Sequence, residues 1–185
     1  MAGPERRILY GRRRGHRLRP ERRRLLTERL PELEIRLPES GRLDPAQLAG
    51  GRALWLEIGF GGGEHLIWQA KAHPEVLLIG CEPYINGVAR LLALAEAAGL
   101  GNIRLLVDDA RLLLRALPDA CLERIFVLFP DPWPKSRHHK RRIVNPETAA
   151  AFARLLVQGG EVRLATDDMD YGRAMLGTLL AEPGL

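Results

Sequence analysis

Short apolar runs alternate with longer amphipathic segments over the last two thirds of the chain. Five runs have the length and near-continuous hydrophobicity of buried parallel strands, at residues 53–58, 76–80, 103–107, 124–128 and 161–165. Five segments between and after them have helical character, at residues 64–72, 85–98, 111–117, 146–157 and 169–180. Alternating strands and helices with short connections predict an α/β fold built on a doubly wound, mostly parallel sheet.

Three zones follow from this pattern and from the distribution of charge. Residues 1–30 contain eleven arginines and three glutamates, and we expect them to form a basic N-terminal arm that is mobile without a partner. Within the arm, residues 21–30 could form a short helix. Residues 31–50 carry three prolines and are predicted to be a connector. Residues 51–185 contain the strand–helix alternation and are predicted to form the main domain.

Composition narrows the possible classes of function. The formal net charge of +5 is uneven, because the arm and residues 137–142 are strongly basic while the rest of the chain is acidic. Two basic patches on an acidic body favour the steering of a polyanion such as nucleic acid. No apolar stretch approaches the roughly 20 residues of a membrane span. Cys81 and Cys121 lie far apart, which indicates reduced thiols in a cytoplasmic protein, and no Cys/His spacing predicts a metal site.

A carboxylate lies at the end of every predicted strand or just after it. The five are Glu57, Glu82, Asp109, Asp131 and Asp167. Because the carboxyl ends of parallel strands meet at one edge of a sheet, where ligands bind in doubly wound folds, these side chains predict a binding site at that edge. The alternative for Glu82 and Asp109 is that they only cap the helices that follow them.

The turn after the first strand is rich in glycine. Gly59 and Gly61 permit positive φ angles and a close approach of the backbone to a ligand. A nicotinamide-binding fingerprint would have Gly or Ala at position 64, where Glu64 would instead repel a pyrophosphate. The acids after the first three strands suit an adenosine with a positively charged amino-acid tail, such as S-adenosylmethionine. A nicotinamide-dependent oxidoreductase is the less favoured alternative.

The segment 129–142, FPDPWPKSRHHKRR, carries the most distinctive chemistry. Its three prolines exclude a regular helix or central strand and predict a loop at a strand end. The loop holds Asp131, Trp133 and Lys135, and residues 137–142 then add four positive charges and two histidines. This combination favours chemistry on a nucleobase within a nucleic acid, with Trp133 either stacking on the base or packing under the loop. The alternative is a solvated run of charge.

Together these motifs resemble one family, the tRNA (guanine-N7)-methyltransferases. The matching segments are LEIGFGGGEHL (56–66), GCEPYINGV (80–88), DDA (108–110), FPDPWPKSRHHKRRIVNPE (129–147) and ATDDMDY (165–171). The loop segment is highly specific, whereas the glycine turn is common to many methyltransferases. The resemblance implies a Rossmann-like class I methyltransferase fold for residues 51–185, S-adenosylmethionine as cofactor, and a guanosine in the variable region of tRNA as substrate.

The resemblance also implies roles for individual residues, with Asp131 in the catalytic position. The residues implied to bind the cofactor are Glu57, Gly59, Gly61, Glu82, Asp109 and Asp131. Those implied to bind the substrate are Lys135 and Asp167, and those implied to contact RNA are Arg137, His138, His139, Lys140, Arg141 and Arg142. His65 and His73 are interpreted as structural. The sequence does not indicate an oligomeric state.

One departure from the family pattern concerns the end of the chain. Class I methyltransferases continue past the fifth strand and its helix to two further strands. We expect the domain to be C-terminally short, without those strands and with an exposed sheet edge. The family's late Thr-x-Phe-Glu segment, part of the guanine pocket, has no counterpart in this sequence. A non-catalytic RNA-binding protein on a degenerate methyltransferase fold is therefore a second hypothesis.

Overall fold

The computed structural model describes residues 13–39 and 41–185. Its strands are β1 (Ala53–Ile58), β2 (Val76–Cys81), β3 (Ile103–Leu106), β4 (Leu122–Leu128) and β5 (Leu156–Ala165). They form one fully parallel sheet in the order β3-β2-β1-β4-β5, with β3 and β5 at its edges. The predicted doubly wound parallel sheet is confirmed, and the carboxyl ends of all five strands agree with the prediction to within one residue.

Helices cover both faces of the sheet. They are α1 (Pro20–Glu28), α2 (Leu30–Leu33), α3 (Pro45–Ala49), α4 (Glu64–Ala72), α5 (Ile85–Ala97), α6 (Ala110–Ala116), α7 (Pro146–Leu155) and α8 (Met169–Leu180), with a 3₁₀ helix at Ser136–Arg141. Helices α1, α2, α4 and α5 pack on one face, and α3, α6, α7 and α8 pack on the other. None of the helices that the structure describes has the length and apolar character needed to cross a membrane.

The alternation of β1 divides its side chains between the two faces. Leu54, Leu56 and Ile58 belong to the apolar cluster beneath α3, α6, α7 and α8, whereas Trp55 belongs to the cluster beneath the other four helices. All four side chains are almost fully buried. Glu57 follows the same alternation and therefore lies on the Trp55 side, beneath α4.

Strand β5 begins earlier than the sequence predicts. Its pairing with β4 shifts register before the Arg124–Glu161 pair, so residues 157–160 form a bulge. Gly159 has a φ of 79°, which a glycine adopts without strain. Because glutamine and two glycines interrupt the apolar pattern there, the sequence indicates a strand only after the bulge.

The described part of the N-terminal arm packs on the domain. Leu25 of α1 is 1% exposed and lies in the same apolar cluster as Leu33 of α2 and the buried side of α5. The N–H of Ile35 donates to the carbonyl of Leu105 at 2.7 Å, so the connector runs beside edge strand β3. Residues of both the arm and the connector therefore contact the main domain. The mobility of the arm stays a prediction, and residues 1–12 lie outside the described residues.

Candidate active site

A cleft of about 590 Å³ opens at the carboxyl ends of β1 to β4. Its walls are the segments that follow these four strands, closed on one side by the end of the 3₁₀ helix. Of the residues implied to bind the cofactor, those that line the cleft are Gly59, Gly61, Glu82, Asp109 and Asp131. The sequence therefore identified the correct edge of the sheet as the place where these side chains meet.

The glycine turn after β1 is held against β2. The N–H of Gly59 donates to the carbonyl of Cys81 at 2.8 Å, and the N–H of Gly61 donates to Oε2 of Glu82 at 2.8 Å. Gly63, with φ of 84°, starts α4, and a Cβ at this position would meet the side chain of Leu91 at 2.7 Å. The turn therefore depends on glycine both for its backbone angle and for its close packing.

Glu82 is a buried acid in the wall of the cleft. It is 8% exposed, and its two carboxylate oxygens accept backbone hydrogen bonds from Gly61 and from Tyr84, at 2.8 and 2.9 Å. Burial raises the pKa of Glu82; the two hydrogen bonds lower it, and the neighbouring Asp131 carboxylate raises it again. Since an ionised carboxylate has about four acceptor sites, the side chain retains capacity for a ligand after bonding the turn.

The structure shows the helix-capping role predicted for Asp109, and its cofactor role stays a prediction. Asp109 lines the cleft, and it also caps α6 by accepting from the N–H of Arg111 at 2.9 Å. The Arg111 guanidinium lies 3.0 Å from Oδ2 of Asp109 and donates to the carbonyl of Arg142 at 3.3 Å. Arg111 therefore joins Asp109 in the cleft to the end of the basic segment.

Glu57 lies outside the cleft. It is 3% exposed, and its Oε2 lies 2.8 Å from Nδ1 of His65 on α4. Nε2 of His65 is 3.0 Å from Nε2 of Gln69, so one neutral tautomer, protonated at Nδ1, satisfies both contacts. These three side chains tie α4 to the end of β1, and this gives His65 the structural role that the sequence suggested.

Cys81 also lines the cleft but is unsuited to act as a nucleophile. Its side chain is buried, and burial, followed by the charges of Asp109 and Glu82, raises the pKa of its thiol. A raised pKa keeps the sulfur protonated at neutral pH, and a thiol is a poor nucleophile compared with a thiolate.

The loop after β4 leaves the sheet through a strained backbone. Phe129 and Trp133 have φ angles of 51° and 46°, in the left-handed region that bulky residues rarely occupy. The N–H of Phe129 donates to the carbonyl of Ala165 at 2.8 Å, which fixes the start of the loop to the end of β5. Between these points Asp131 is exposed at the rim of the cleft. Strain of this kind clusters at functional sites, where the surrounding structure maintains it.

Arg142 maintains the loop from beneath. Its side chain is 8% exposed, its Nε donates to the carbonyl of Pro132 at 2.8 Å, and its guanidinium lies 4.6 Å from the ring centroid of Tyr171. The sequence placed Arg142 among the RNA contacts as the last residue of a charged run. The structure instead places it inside the protein, because the 3₁₀ helix ends at Arg141 and the chain then turns toward the core.

Trp133 is half-buried in the wall of the cleft. The guanidinium of Arg141 lies 4.9 Å from the ring centroid, and the ring of His138 approaches edge-on at 6.0 Å. The indole is thus packed between the loop and the 3₁₀ helix, as the second of the two predicted arrangements has it. Its contact with Arg141 holds the basic segment against the loop after β4.

The remaining residues of the basic segment form an exposed strip. Arg137, His139 and Lys140 are exposed on the 3₁₀ helix, and we call these three the basic strip. The pKa of His138 is lowered, first by burial and then by the charges of Arg141 and its cationic neighbours, so His138 is mainly neutral at pH 7.

The two residues implied to bind the substrate lie near the cleft but not in its lining. Lys135 and Asp167 are both exposed, Lys135 in the loop after β4 and Asp167 just after β5.

The structure adds two residues to which the sequence gave no role. Tyr84 and Phe129 both line the cleft, and only their places just after strand ends could have indicated this.

The arm reaches the mouth of the cleft. The Asn86 side chain accepts from the N–H of Gly15 at 2.9 Å and donates to the carbonyl of His16 at 2.8 Å. The N–H of Ile85 donates to the carbonyl of Arg13 at 3.0 Å. Because this attachment lies directly after Tyr84, the basic arm approaches the same end of the molecule as the basic strip.

Comparison with known proteins gives the family. Residues 51–185 match a family model described as a putative methyltransferase. The tRNA (guanine-N(7)-)-methyltransferase of Rhodospirillum rubrum is 54% identical over 179 residues, covering 94% of this chain and 70% of that protein. The enzyme of the same name from Granulibacter bethesdensis is 52% identical over 171 residues, covering 88% of this chain and 72% of its own length.

Solved structures agree on the fold. The 16S rRNA methyltransferase KamB superposes with a TM-score of 0.53 at 20% identity, covering 79% of this chain and 68% of that one. A putative methyltransferase from Thermoplasma acidophilum gives 0.51 at 17% identity, covering 75% and 57%. These similarities support a Rossmann-like methyltransferase fold. The relatives found by sequence narrow the assignment from this fold to one family. The chain belongs to the family of tRNA (guanine-N(7)-)-methyltransferases.

Proposed function

We propose that the protein transfers a methyl group from S-adenosylmethionine to N7 of a guanosine in the variable region of tRNA, in the cytoplasm. The observation that carries the proposal is the loop 129–142, which joins an acid-lined cleft to an exposed basic strip in a chain 54% identical to a tRNA (guanine-N(7)-)-methyltransferase. Incubation with labelled S-adenosylmethionine and bulk tRNA tests it. Label should appear at N7-methylguanosine, and tRNA that stays unlabelled would refute the activity.

The cleft fits S-adenosylmethionine in its charge and in the shape of its backbone. Four acids line it, Glu82, Asp108, Asp109 and Asp131, and the glycine turn brings backbone atoms to the cleft surface. Glu82 would hold the ribose hydroxyls with the acceptor sites left free by its two backbone bonds, and Asp109 would receive the adenine amino group. The bound cofactor supplies an electrophilic methyl group on a positively charged sulfur.

The protein's part in the reaction is orientation and charge stabilisation. Guanine N7 carries an in-plane lone pair and no proton, so attack through N7 requires no general base. The residues of the chain instead fix the base at a near-attack distance of about 3–3.5 Å and exclude other orientations. Asp131, exposed on a loop that Arg142 supports, would stabilise the positive charge that the ring acquires. Lys135 and Asp167, at the same edge of the sheet, would position the substrate.

As the pH is lowered, cofactor binding should begin to weaken at a higher pH than it would if Glu82 were an ordinary exposed glutamate. The pKa of Glu82 is raised, so its carboxylate takes up a proton earlier as the pH falls, and a protonated carboxyl loses acceptor strength. Calorimetry between pH 8 and about 4.3, the ordinary pKa of glutamate, should show more than half of this decline. Glu82→Gln should bind about 10- to 100-fold more weakly, with no decline over this range.

The control for this prediction is Glu75→Gln, at an exposed glutamate just before β2, which should bind as the wild type does at every pH. The raised pKa of Glu82 also affects the stability of the free protein. A carboxyl whose pKa is raised by folding stabilises the fold as the pH decreases through that pKa, so ionised Glu82 is unfavourable until a ligand is bound. A wild-type affinity that is constant down to about pH 4.3, the ordinary pKa of glutamate, would contradict the role assigned to Glu82.

Charge reversal on the basic strip should weaken tRNA binding and reduce its salt dependence. Phosphate contacts release counterions, so the loss of two contacts lowers the slope of log affinity against log salt by about one to two. We expect this for the double variant Arg137→Glu/Lys140→Glu, since both side chains are exposed. The control is Arg42→Glu, an exposed arginine paired with Asp119 at the opposite end of the sheet. Equal slopes for the double variant and the control would exclude the strip from the RNA interface.

A further inference from the structure

Phe129 is an exposed aromatic side chain in the wall of the cleft. It follows the last residue of β4, its side chain is 67% exposed, and it lines the cleft together with Asp131 and Trp133. Large apolar side chains are normally buried, and bulky residues normally avoid a φ of 51°. Phe129 therefore has two unfavourable features at once, at the point where the strand meets the cleft.

The strained angle determines where this side chain lies. In β4, Ile125 and Val127 belong to the apolar cluster of one face, while Phe126 belongs to that of the other. Continuation of this alternation would send Phe129 toward the face of Ile125 and Val127, into the protein. The left-handed backbone, fixed by the hydrogen bond from Phe129 N–H to Ala165, removes the ring from that face and exposes it.

The neighbouring aromatic residue is placed differently. Trp133 is half-buried, with the Arg141 guanidinium 4.9 Å from its ring centroid and the His138 ring at its edge. The ring of Phe129 is thus the more accessible π surface of the loop, on the same wall of the cleft as Asp131. A flat apolar ring beside a carboxylate suits a nucleobase, because stacking holds the face of the base and the carboxylate binds its polar edge.

We propose that Phe129 stacks on the target nucleobase and thereby orients it for methyl transfer, an inference that rests on the proposed function. Its backbone strain persists because it places the ring in the cleft. In this arrangement Trp133 supports the loop and fixes the basic segment, and Phe129 is the residue that contacts the base.

Paired glycine substitutions test the proposal. Ala120 precedes β4 and has a φ of 49°, and Phe129 follows the same strand with a φ of 51°, so glycine relieves the same backbone strain at either end. Both Ala120→Gly and Phe129→Gly should keep or raise the melting temperature. Only Phe129→Gly should lose activity, with kcat/KM for tRNA about 10- to 100-fold lower and an unchanged affinity for S-adenosylmethionine.

Two further variants separate stacking from apolar contact. Phe129→Tyr keeps the ring and should retain nearly the wild-type kcat/KM, whereas Phe129→Leu keeps the apolar bulk and should lose as much as Phe129→Gly. Full activity of the leucine or glycine variant would overturn the proposal, as would a loss of activity explained by weaker cofactor binding.

A binding measurement distinguishes this proposal from the proposed function. Transcripts of tRNA with 2-aminopurine at single guanosine positions of the variable region report stacking by fluorescence quenching, without any turnover. One position should be quenched by the wild type and by Ala120→Gly, but not by Phe129→Gly. Equal quenching by all three proteins would overturn the stacking proposal even if methyl transfer occurs. Wild-type quenching without methyl transfer would support the stacking proposal and refute the enzymatic one.

Discussion

Asp131→Asn should lower the rate of methyl transfer by about 100- to 1,000-fold without unfolding the protein. Asp131 is exposed on the loop after β4 and lines the cleft, so its removal leaves no buried group without a partner. In the proposed mechanism its negative charge stabilises the cationic base that forms as N7 accepts the methyl group. The loss of one fixed electrostatic partner of a transition state lowers kcat by about this factor. Single-turnover measurements with saturating tRNA would give the rate.

The same substitution should also change the pH dependence of cofactor binding. The charge of Asp131 contributes to the raised pKa of Glu82, after the larger effect of burial. Without that charge, the pKa of Glu82 decreases, and the acidic decline in affinity for S-adenosylmethionine moves to lower pH. This shift depends on the removal of a charge close to Glu82, so the pH profile tests the proximity of the two carboxylates independently of the rate.

The control for Asp131 is Asp170→Asn. Asp170 is an exposed aspartate on α8 that pairs with Arg173, so the substitution makes the same chemical change away from the cleft. Asp170→Asn should leave both the rate and the pH profile unchanged. A rate for Asp131→Asn within about threefold of the wild type would remove Asp131 from the proposed mechanism.

The sequence predicted the fold because the features that determine it are local. Buried parallel strands are continuous apolar runs, and each helix of the main domain follows such a run with its own periodicity. The exception is residues 157–160, which extend β5 through a bulge that pairing with β4 stabilises. That pairing is a tertiary interaction, and the sequence of the bulge has no strand pattern of its own.

The site was less predictable, because side-chain direction depends on tertiary structure. Glu57 directly precedes the glycine turn, but the pleat of β1 directs it beneath α4 and toward His65. Arg142 directly follows Arg141, but the turn at the end of the 3₁₀ helix buries it. In both residues, proximity in sequence to a functional motif indicated the correct region of the molecule. Their contacts and burial followed from the geometry of the strand or helix that carries them.

Because Arg142 is buried, its substitution should lower the stability of the fold, whereas substitution of a residue that only binds RNA should not. Arg142→Ala should lower the free energy of unfolding by about 2–4 kcal/mol, since it removes a charged hydrogen bond to Pro132 and a cation–π contact with Tyr171. For a domain of this size, a loss of 1 kcal/mol lowers the melting temperature by about 2–4 °C. Scanning calorimetry should therefore show a decrease of roughly 4–16 °C.

The effect on activity should exceed the effect on tRNA affinity. Without Arg142 the carbonyl of Pro132 loses its donor, and the adjacent Asp131 is no longer fixed at the rim of the cleft. We therefore expect kcat to decrease by about 10- to 100-fold, because misplacement by about 1 Å is enough for such a loss. Arg137→Ala, at an exposed arginine of the basic strip, should have the opposite profile, with unchanged stability and weaker, less salt-dependent tRNA binding. If Arg142→Ala melts like the wild type and loses only tRNA affinity, Arg142 belongs to the RNA-binding surface and another residue must support the loop.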